Sequence, residues 1–415
     1  MNLLIDFITP SGITGAGEYH RRVVHELLKE IKNRDEVIVY ALFDSRRGVA
    51  YDDLTEEHLV KNANITFVDC SDKLIETIVN EYSIDRFFIA CAQYIGEYPG
   101  LEKLKCEIIC VIHDLCDEDF ENSHLFEYLR LMSPSHNFIE RYKIGILNKL
   151  LYLKRRFSLL LKDYAEQNKI EFGKNTTRLQ WIQKLVDSNP LVKLVTVSDY
   201  TKSAALFYHK WPEECITVLY SPERLWFQES EIENSVLNSI IDSRKKYFLL
   251  CGGNRQTKNT GKCISAFLKY HRLYSEYNLV VIGGMNGGDG IINLPYLSES
   301  DYQHALSNCY ALVFPSFFEG FGYPPVEAMR YGKPVLCSNT TSMPEILGNA
   351  PIFFSPFYEV GIFDAFIRFS NSSYEDLVER SLTQWHRIES RQTDDLKKLL
   401  DEILYNQTST RQSLI

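Results

Sequence analysis

Two glutamates stand eight residues apart in the stretch 310–338, which reads as strand, loop, helix and strand. Glu319 lies in the loop beside Gly320, and Glu327 lies in the first turn of a helix that Pro324 begins. Carboxylates accept hydrogen bonds from hydroxyl groups, and the free backbone amides of a helix N-terminus favour phosphate. This layout suits a sugar nucleotide. The alternative is a solvated loop glutamate beside a glutamate that caps a helix.

A second candidate stretch is CGGNRQTKN at 251–259, directly after the apolar run YFLL. Gly252 and Gly253 permit a tight turn at the end of a strand, and Arg255 and Lys258 add two cations to that turn. Cations placed at such a turn can neutralise a diphosphate leaving group. The alternative is an ordinary turn between a strand and a helix with surface cations.

His113 ends the apolar run EIICVIH and precedes Asp114, so it lies on the ligand side of a predicted strand. A lone histidine at this position fits either a functional or a structural role. Asp117, Glu118 and Asp119 form a triplet of the kind that can hold a divalent metal on a diphosphate. We interpret the triplet as a solvated acidic loop and predict neither a metal nor another cofactor.

Short runs rich in Val, Ile, Leu and Phe alternate with helical patterns in two blocks. This alternation predicts an α/β protein with two doubly wound parallel sheets that face each other across a cleft. The predicted strands are 2–8, 36–43, 65–70, 86–91, 107–113, 192–198, 216–221, 247–253, 278–284, about 291–296, 310–315, 334–338 and 351–355. Ligands bind beyond the carboxyl ends of such strands, where the candidate residues lie.

The two blocks predict two domains with a connecting segment. The N-terminal domain covers 1–222 and carries an insertion at about 116–190. Residues 223–245 are charged and polar without strong periodicity, which predicts a linker. The C-terminal domain covers 246–390, and 391–415 form a C-terminal helix with a frayed tail.

Composition excludes several classes of function. A net charge of −10 argues against nucleic acid as a partner. The ten cysteines are scattered and form no CxxC pair, which indicates reduced thiols in a cytoplasmic protein. No uninterrupted apolar run reaches about 18 residues, so we expect no membrane span.

Residues 141–162 combine Lys and Arg with Ile, Leu, Tyr and Phe and contain no acidic residue. One hypothesis is a helix that lies on the inner face of an anionic membrane, which would suit a lipid-linked acceptor. The other is a helix that packs on the N-terminal domain with its basic residues in solvent. The sequence leaves both open.

Five stretches, in order, resemble family 4 retaining glycosyltransferases of the two-domain GT-B fold. The main one is FPSFFEGFGYPPVEAMRYGKPV, which carries the family's E-x7-E signature, and TSMPEILGNAPIFFSPF (341–357) follows it. Upstream, GITGAGEYHRRVVHELL (12–28), IHDL (112–115) and VTVSDYTKSAALFYH (195–209) resemble N-domain elements of the same family. The resemblance implies two Rossmann-like domains and a nucleotide-diphosphate sugar as the donor.

The resemblance also implies roles for individual residues. Glu319 would bind the transferred sugar and His113 would approach it from the facing domain, while Glu327 would bind the nucleotide ribose. Lys258, with Arg255, would neutralise the β-phosphate. The family's usual arginine falls here on Thr257. The remaining implied site residues are Gly252, Gly253, Asn259, Gly320, Phe321 and Gly322 for the donor and Gly15 and Gly17 in the N-domain loop.

The predicted function is therefore transfer of a hexose, with retention and without metal, to a saccharide or lipid-linked acceptor in polysaccharide or glycoconjugate assembly. Mannose or rhamnose as the transferred sugar is suggested only by the His-Asp-Leu and Gly-Gly sequences within the matching motifs. Two alternatives stay open: a non-catalytic scaffold subunit of a transferase complex, and a sugar-nucleotide epimerase or hydrolase of the same fold. The base, the sugar, the acceptor and the linkage are not encoded in any motif.

Overall fold

The structure is a computed structural model that describes residues 1–8, 14–32, 34, 36–46, 65–96, 98–116, 179–226, 231–253, 255–284 and 287–405. All of these except Cys116 belong to one compact unit, Met1–Leu115 together with Arg178–Ile415. The acidic triplet 117–119, the basic stretch 141–162 and most of the predicted insertion lie outside the described residues.

The first sheet has seven strands in the order β3-β2-β1-β4-β5-β6-β7, and every pairing is parallel. Its strands are β1 (Asn2–Asp6), β2 (Ile38–Phe43), β3 (Ile65–Asp69), β4 (Arg86–Ile89), β5 (Glu107–Ile112), β6 (Val192–Thr196) and β7 (Ile216–Val218). The interior strand β1 is buried on both faces, which explains why it reads as an unbroken apolar run.

The second sheet has six parallel strands in the order β10-β9-β8-β11-β12-β13. They are β8 (Tyr247–Cys251), β9 (Asn278–Ile282), β10 (Ile291–Leu294), β11 (Ala311–Phe314), β12 (Val335–Ser338) and β13 (Ile352–Phe354). In both sheets the strand order reverses beside the first strand, so each has a switch point where a crevice opens. The predicted fold class is confirmed.

Helices cover both faces of the sheets. They are α1 (Gly15–Ile31), α2 (Ile75–Glu81), α3 (Ala92–Ile95), α4 (Gln180–Ser188), α5 (Asp199–Tyr208), α6 (Ser235–Asp242), α7 (Thr260–His271), α8 (Glu299–Asn308), α9 (Tyr323–Arg330), α10 (Met343–Leu347), α11 (Glu359–Ser370) and α12 (Tyr374–Leu404). One buried apolar cluster runs through both sheets, from Tyr19 in α1 to Leu249 in β8 and Ile403 in α12. Separate clusters cover the outer face of each sheet.

The long helix α12 joins the two sheets. It begins beside the second sheet and ends against the first, where Arg86 donates a 2.6 Å hydrogen bond to the carbonyl of Ile403. Nearer its C-terminal end, Asp395 accepts a 3.0 Å hydrogen bond from the backbone amide of Tyr220. The helix is continuous across the predicted boundary at 390. Its apolar residues pack on both sheets, which fixes one sheet against the other.

The segment predicted as a linker, 223–245, contains a helix. Asn234 caps α6 through hydrogen bonds to the amides of Val236 and Leu237, and Leu237 and Ile240 are buried. The apolar residues Val236, Leu237, Ile240 and Ile241 recur at i, i+1, i+4 and i+5, which is a helical spacing. The segment therefore carries a short helical pattern that its interpretation as a linker did not use.

Candidate active site

A cavity of about 330 Å³ opens between the carboxyl ends of the two sheets. Residues of both sheets line it, among them most of the residues singled out from the sequence. The predicted residues that line it are Gly15, His113, Gly252, Gly253, Arg255, Lys258, Glu319, Gly320, Phe321, Gly322 and Glu327. Gly17 and Asn259 are not among the lining residues.

Glu319 lies in the loop after β11 with its carboxylate fixed on one side. Lys258 Nζ and Ser316 Oγ each lie 2.5 Å from Glu319 Oε1. The backbone of Glu319 is held as well: its amide donates to Thr341 Oγ1 at 3.1 Å, and its carbonyl accepts from Ser342 Oγ at 2.9 Å. Among the described residues no polar group pairs with Oε2, which leaves this oxygen for a hydroxyl of a ligand.

Glu327 lies in α9, and its side chain is only 5% exposed. Gly322 begins the helix at φ +83°, a left-handed conformation that glycine adopts without strain, and the two prolines that follow Tyr323 fix the first turn. Tyr302 Oη donates a 2.7 Å hydrogen bond to Glu327 Oε2. Arg224 Nε lies 3.3 Å from Glu327 Oε1.

The sequence analysis did not identify three residues of this site: Glu18, Arg224 and Tyr302. Arg224 Nε lies 3.4 Å from Glu18 Oε2, so one guanidinium pairs with carboxylates from α1 and from α9. Burial raises the pKa of Glu18 above its usual value, while the charge of Arg224 opposes that rise. The GEYH sequence after the N-domain glycines offered a weak signal for Glu18, whereas Arg224 and Tyr302 carried none.

The glycine turn after β8 is as tight as predicted. A Cβ on Gly252 would meet Thr260 Oγ1 at 2.3 Å, and Gly253 has φ +53° with Tyr296 Oη packed against it. Arg255 is exposed at the cavity, two residues before the position where the family arginine was expected. Asn259 is buried and donates to the carbonyls of Pro315 and Pro356, so it holds neighbouring loops in place.

His113 faces the cavity from the end of β5. Its Nε2 donates a 2.9 Å hydrogen bond to the carbonyl of Ala90, so the neutral ring carries its proton there and Nδ1 is an acceptor. Burial lowers the pKa of His113 to about 4, so the ring is neutral at pH 7. Tyr19 packs edge-on against it, with ring centroids 4.8 Å apart.

The cavity has two walls, one formed by the first sheet and its helices and one formed by the second sheet and its loops. The two walls touch directly beside His113. A Cβ built on Gly320 would lie 1.8 Å from the carbonyl oxygen of His113, so only glycine fits this approach. On the other side, Gly15 opens α1 against the ring of Tyr323. Gly17 is buried in the same helix, and its amide donates to the Thr14 side chain that caps α1. Gly17 thus helps to shape the first turn of α1.

The described residues contain no group of three or more His, Cys, Asp or Glu side chains placed to hold a metal ion. None of the described helices combines the length and the apolar composition that a bilayer crossing requires.

A family model and several solved structures are similar to this chain. Residues 232–356 match the family described as glycosyl transferases group 1. The whole chain superposes on HepE of Anabaena in complex with UDP-glucose, with a TM-score of 0.60, 12% sequence identity and 100% coverage of both chains. It also superposes on WaaG, a glycosyltransferase involved in lipopolysaccharide biosynthesis, with a TM-score of 0.55, 13% identity and coverage of 98% and 100%. The chain has the GT-B fold, and the predicted resemblance is confirmed.

Curated relatives are similar over part of their length. The O-antigen chain mannosyltransferase B of Escherichia coli is 30% identical over 200 residues, which are 43% of this chain and 52% of the relative. The O-antigen chain mannosyltransferase RfbU of Salmonella typhimurium is 32% identical over 145 residues, 31% and 40% of the two chains. These alignments span about half or less of the relatives they match.

Proposed function

We propose that this protein is a retaining glycosyltransferase that moves a hexose from a nucleotide-diphosphate sugar to a glycan or lipid-linked acceptor during polysaccharide assembly. The observation that carries the proposal is one cavity lined by Glu319 with Lys258 at one point and by Glu327 with Tyr302 at another. Two hydroxyl-binding carboxylates and a cation beside a glycine turn meet the needs of a sugar, a ribose and a diphosphate.

Mannose is the sugar that the curated relatives favour, because both are named O-antigen chain mannosyltransferases. The base remains open, since the structural relative HepE holds UDP-glucose. UDP, GDP, ADP, CDP and dTDP are therefore all probes for this cavity. The acceptor would be a growing saccharide, free or lipid-linked, and contact of 141–162 with the inner face of a membrane remains a prediction.

In the proposed reaction the bond between the anomeric carbon and the diphosphate oxygen breaks, and the acceptor oxygen bonds to the same face of the sugar. The proton of the acceptor hydroxyl passes to the departing phosphate. Lys258, Arg255 and the N-terminus of α9 would neutralise the charge that develops on the diphosphate. Because these groups supply cationic stabilisation, we propose that transfer proceeds without a divalent metal.

Glu319 and His113 would act on the sugar. Glu319 Oε2 would accept a hydrogen bond from a sugar hydroxyl, and the negative charge of the carboxylate would favour the positive charge that grows at the anomeric carbon. The neutral His113 would accept a second sugar hydrogen bond at Nδ1. The ion pair with Lys258 orients the carboxylate of Glu319.

Thermal unfolding with UDP, GDP, ADP, CDP and dTDP tests the proposed donor site. A ligand at about 100 times its Kd adds about 2.7 kcal/mol of stability, which raises the midpoint measurably. We expect a rise with one base, and its mannose and glucose conjugates should then release the diphosphate only when an acceptor glycan is present. Rapid conversion of donor without acceptor would favour the epimerase or hydrolase, and no rise with any nucleotide would favour the scaffold.

A further inference from the structure

We propose that Glu18 and Arg224 complete the ribose site from the opposite wall: Arg224 holds the carboxylates of Glu18 and Glu327 together, and each carboxylate accepts one of the two vicinal ribose hydroxyls. The inference rests on the proposed function, because it assumes that a nucleotide occupies the cavity. It adds Glu18 of helix α1 and Arg224 of the connecting segment to the donor site.

The geometry places two carboxylates around a single nitrogen. Arg224 Nε lies 3.3 Å from Glu327 Oε1 and 3.4 Å from Glu18 Oε2. The side chains of Arg224 and Glu18 are each 9% exposed and that of Glu327 is 5% exposed, yet all three line the cavity. The shared cation thus brings a carboxylate of α1 and a carboxylate of α9 to one place in the cavity.

The pairing leaves hydrogen-bonding capacity unused. Although the charges attract, Glu18 Oε2, Glu327 Oε1 and Arg224 Nε are buried and have no hydrogen-bond partner of good geometry among the described residues. The other oxygen of Glu327 accepts from Tyr302. A buried carboxylate oxygen without a donor is costly, and a hydroxyl donor from a ligand would offset part of that cost.

The charge balance explains why one arginine is needed. Two ionised carboxylates placed together in a buried site would repel each other, and the positive charge of Arg224 offsets that repulsion. Arginine suits this role better than lysine, because its weakly hydrated guanidinium tolerates burial between two partners. Rings of Tyr302 and Trp226 lie 5.4 and 5.7 Å from the guanidinium carbon and hold it in place.

The test measures which hydroxyl each carboxylate recognises. Calorimetric Kd values are compared for UDP and GDP and for their 2′-deoxy and 3′-deoxy analogues, in wild type and in Glu18→Gln, Glu327→Gln and Arg224→Lys. Wild type should bind the ribonucleotide at least about tenfold more tightly than either analogue. Glu18→Gln should lose discrimination against one analogue, Glu327→Gln against the other, and Arg224→Lys should weaken both preferences.

Glu223→Gln is the matched control. Glu223 forms an ion pair with Arg330 next to the cluster but does not line the cavity, so its ribose preference should equal that of wild type. The inference is overturned if Glu18→Gln and Arg224→Lys keep the wild-type preferences while Glu327→Gln loses one, since Glu327 would then recognise the ribose alone. If wild type binds none of the five nucleoside diphosphates tested by thermal unfolding, the proposed function fails and the inference fails with it.

Discussion

The two walls of the cavity are built in different ways. The second-sheet wall takes its main residues from two short stretches, 251–259 and 316–327, whose members hydrogen-bond to one another. The first-sheet wall takes Glu18, His113 and Arg224 from three distant places in the chain, held by packing and by ion pairs across the cavity. Local turns thus fix one wall, whereas the other depends on the assembled fold.

Two further contacts join the first-sheet wall to the second-sheet wall. The carbonyl of His113 lies against Gly320, and Glu345 of the second domain accepts hydrogen bonds from the amides of Asp199 and Tyr200 at the start of α5. A single substitution at one of these points should disturb the relation between the walls while it leaves each sheet intact.

The largest effect on transfer is expected for a substitution in the second-sheet wall. Glu319→Ala should lower kcat/KM by about 10³-fold, because in the proposed reaction this carboxylate favours the positive charge at the anomeric carbon. Binding of the nucleoside diphosphate should change only severalfold, since ribose and phosphate contacts remain. Steady-state kinetics and calorimetry check the two parts separately. Equal losses in transfer and in nucleotide binding would refute the assignment of Glu319 to the sugar.

Gly320→Ala should break the contact between the walls. The new Cβ has no room beside the His113 carbonyl, so the walls must separate, and we expect about a 10²-fold loss of kcat/KM. Gly287→Ala is the control, because a Cβ there meets no atom within 4 Å. Wild-type kinetics in Gly320→Ala would show that transfer does not require this contact.

Because His113 is buried, the free energy of unfolding should decrease at acid pH. Its pKa is about 4 in the folded chain and near 6.5 when unfolded, so the unfolded state binds the extra proton between these values. Stability contributed by the neutral ring is present above pH 6.5 and is lost as pH falls toward 4, by about 2 kcal/mol between pH 7 and 5. His113→Gln should show a smaller loss in denaturant unfolding. The exposed His386→Gln should match wild type.

Glu345→Gln should have a smaller effect on the contact between the walls. Glu345 accepts at 2.8 and 2.9 Å from two free amides of α5, and the neutral amide replaces only part of this capping. We expect a stability loss of about 1 kcal/mol. The exposed Glu379→Gln serves as the control in thermal unfolding. If the two variants unfold alike, the capping contact does not stabilise the pair of domains.

The smallest effect is expected from metal removal. If Lys258, Arg255 and the α9 N-terminus supply the cationic stabilisation, treatment with EDTA should leave the rate of transfer unchanged. Lys258→Ala, by contrast, should be strongly impaired with or without EDTA. A rate that falls with EDTA and recovers with Mg²⁺ or Mn²⁺ would show that transfer depends on a metal.

The sequence predicted the fold class and most of the second wall, because these depend on local signals. Strands appear as apolar runs, and the pairing of Gly252 with Lys258 or of Glu319 with Gly320 requires only a turn. The sequence could not reveal Arg224, since its partners are about 100 and 200 residues away in the chain. Asn259 shows the converse: its type and position fitted a ligand role, but its amide holds two loop carbonyls.

A crystal structure of the chain with the nucleoside diphosphate that most raises the unfolding midpoint tests the central claim most directly. We predict that the ribose lies against Glu327, the diphosphate lies at the turn of Gly252 and Gly253 beside Lys258, and the β-phosphate points toward Glu319. Electron density for the nucleotide outside this cavity, or a ribose away from Glu327, would contradict the account.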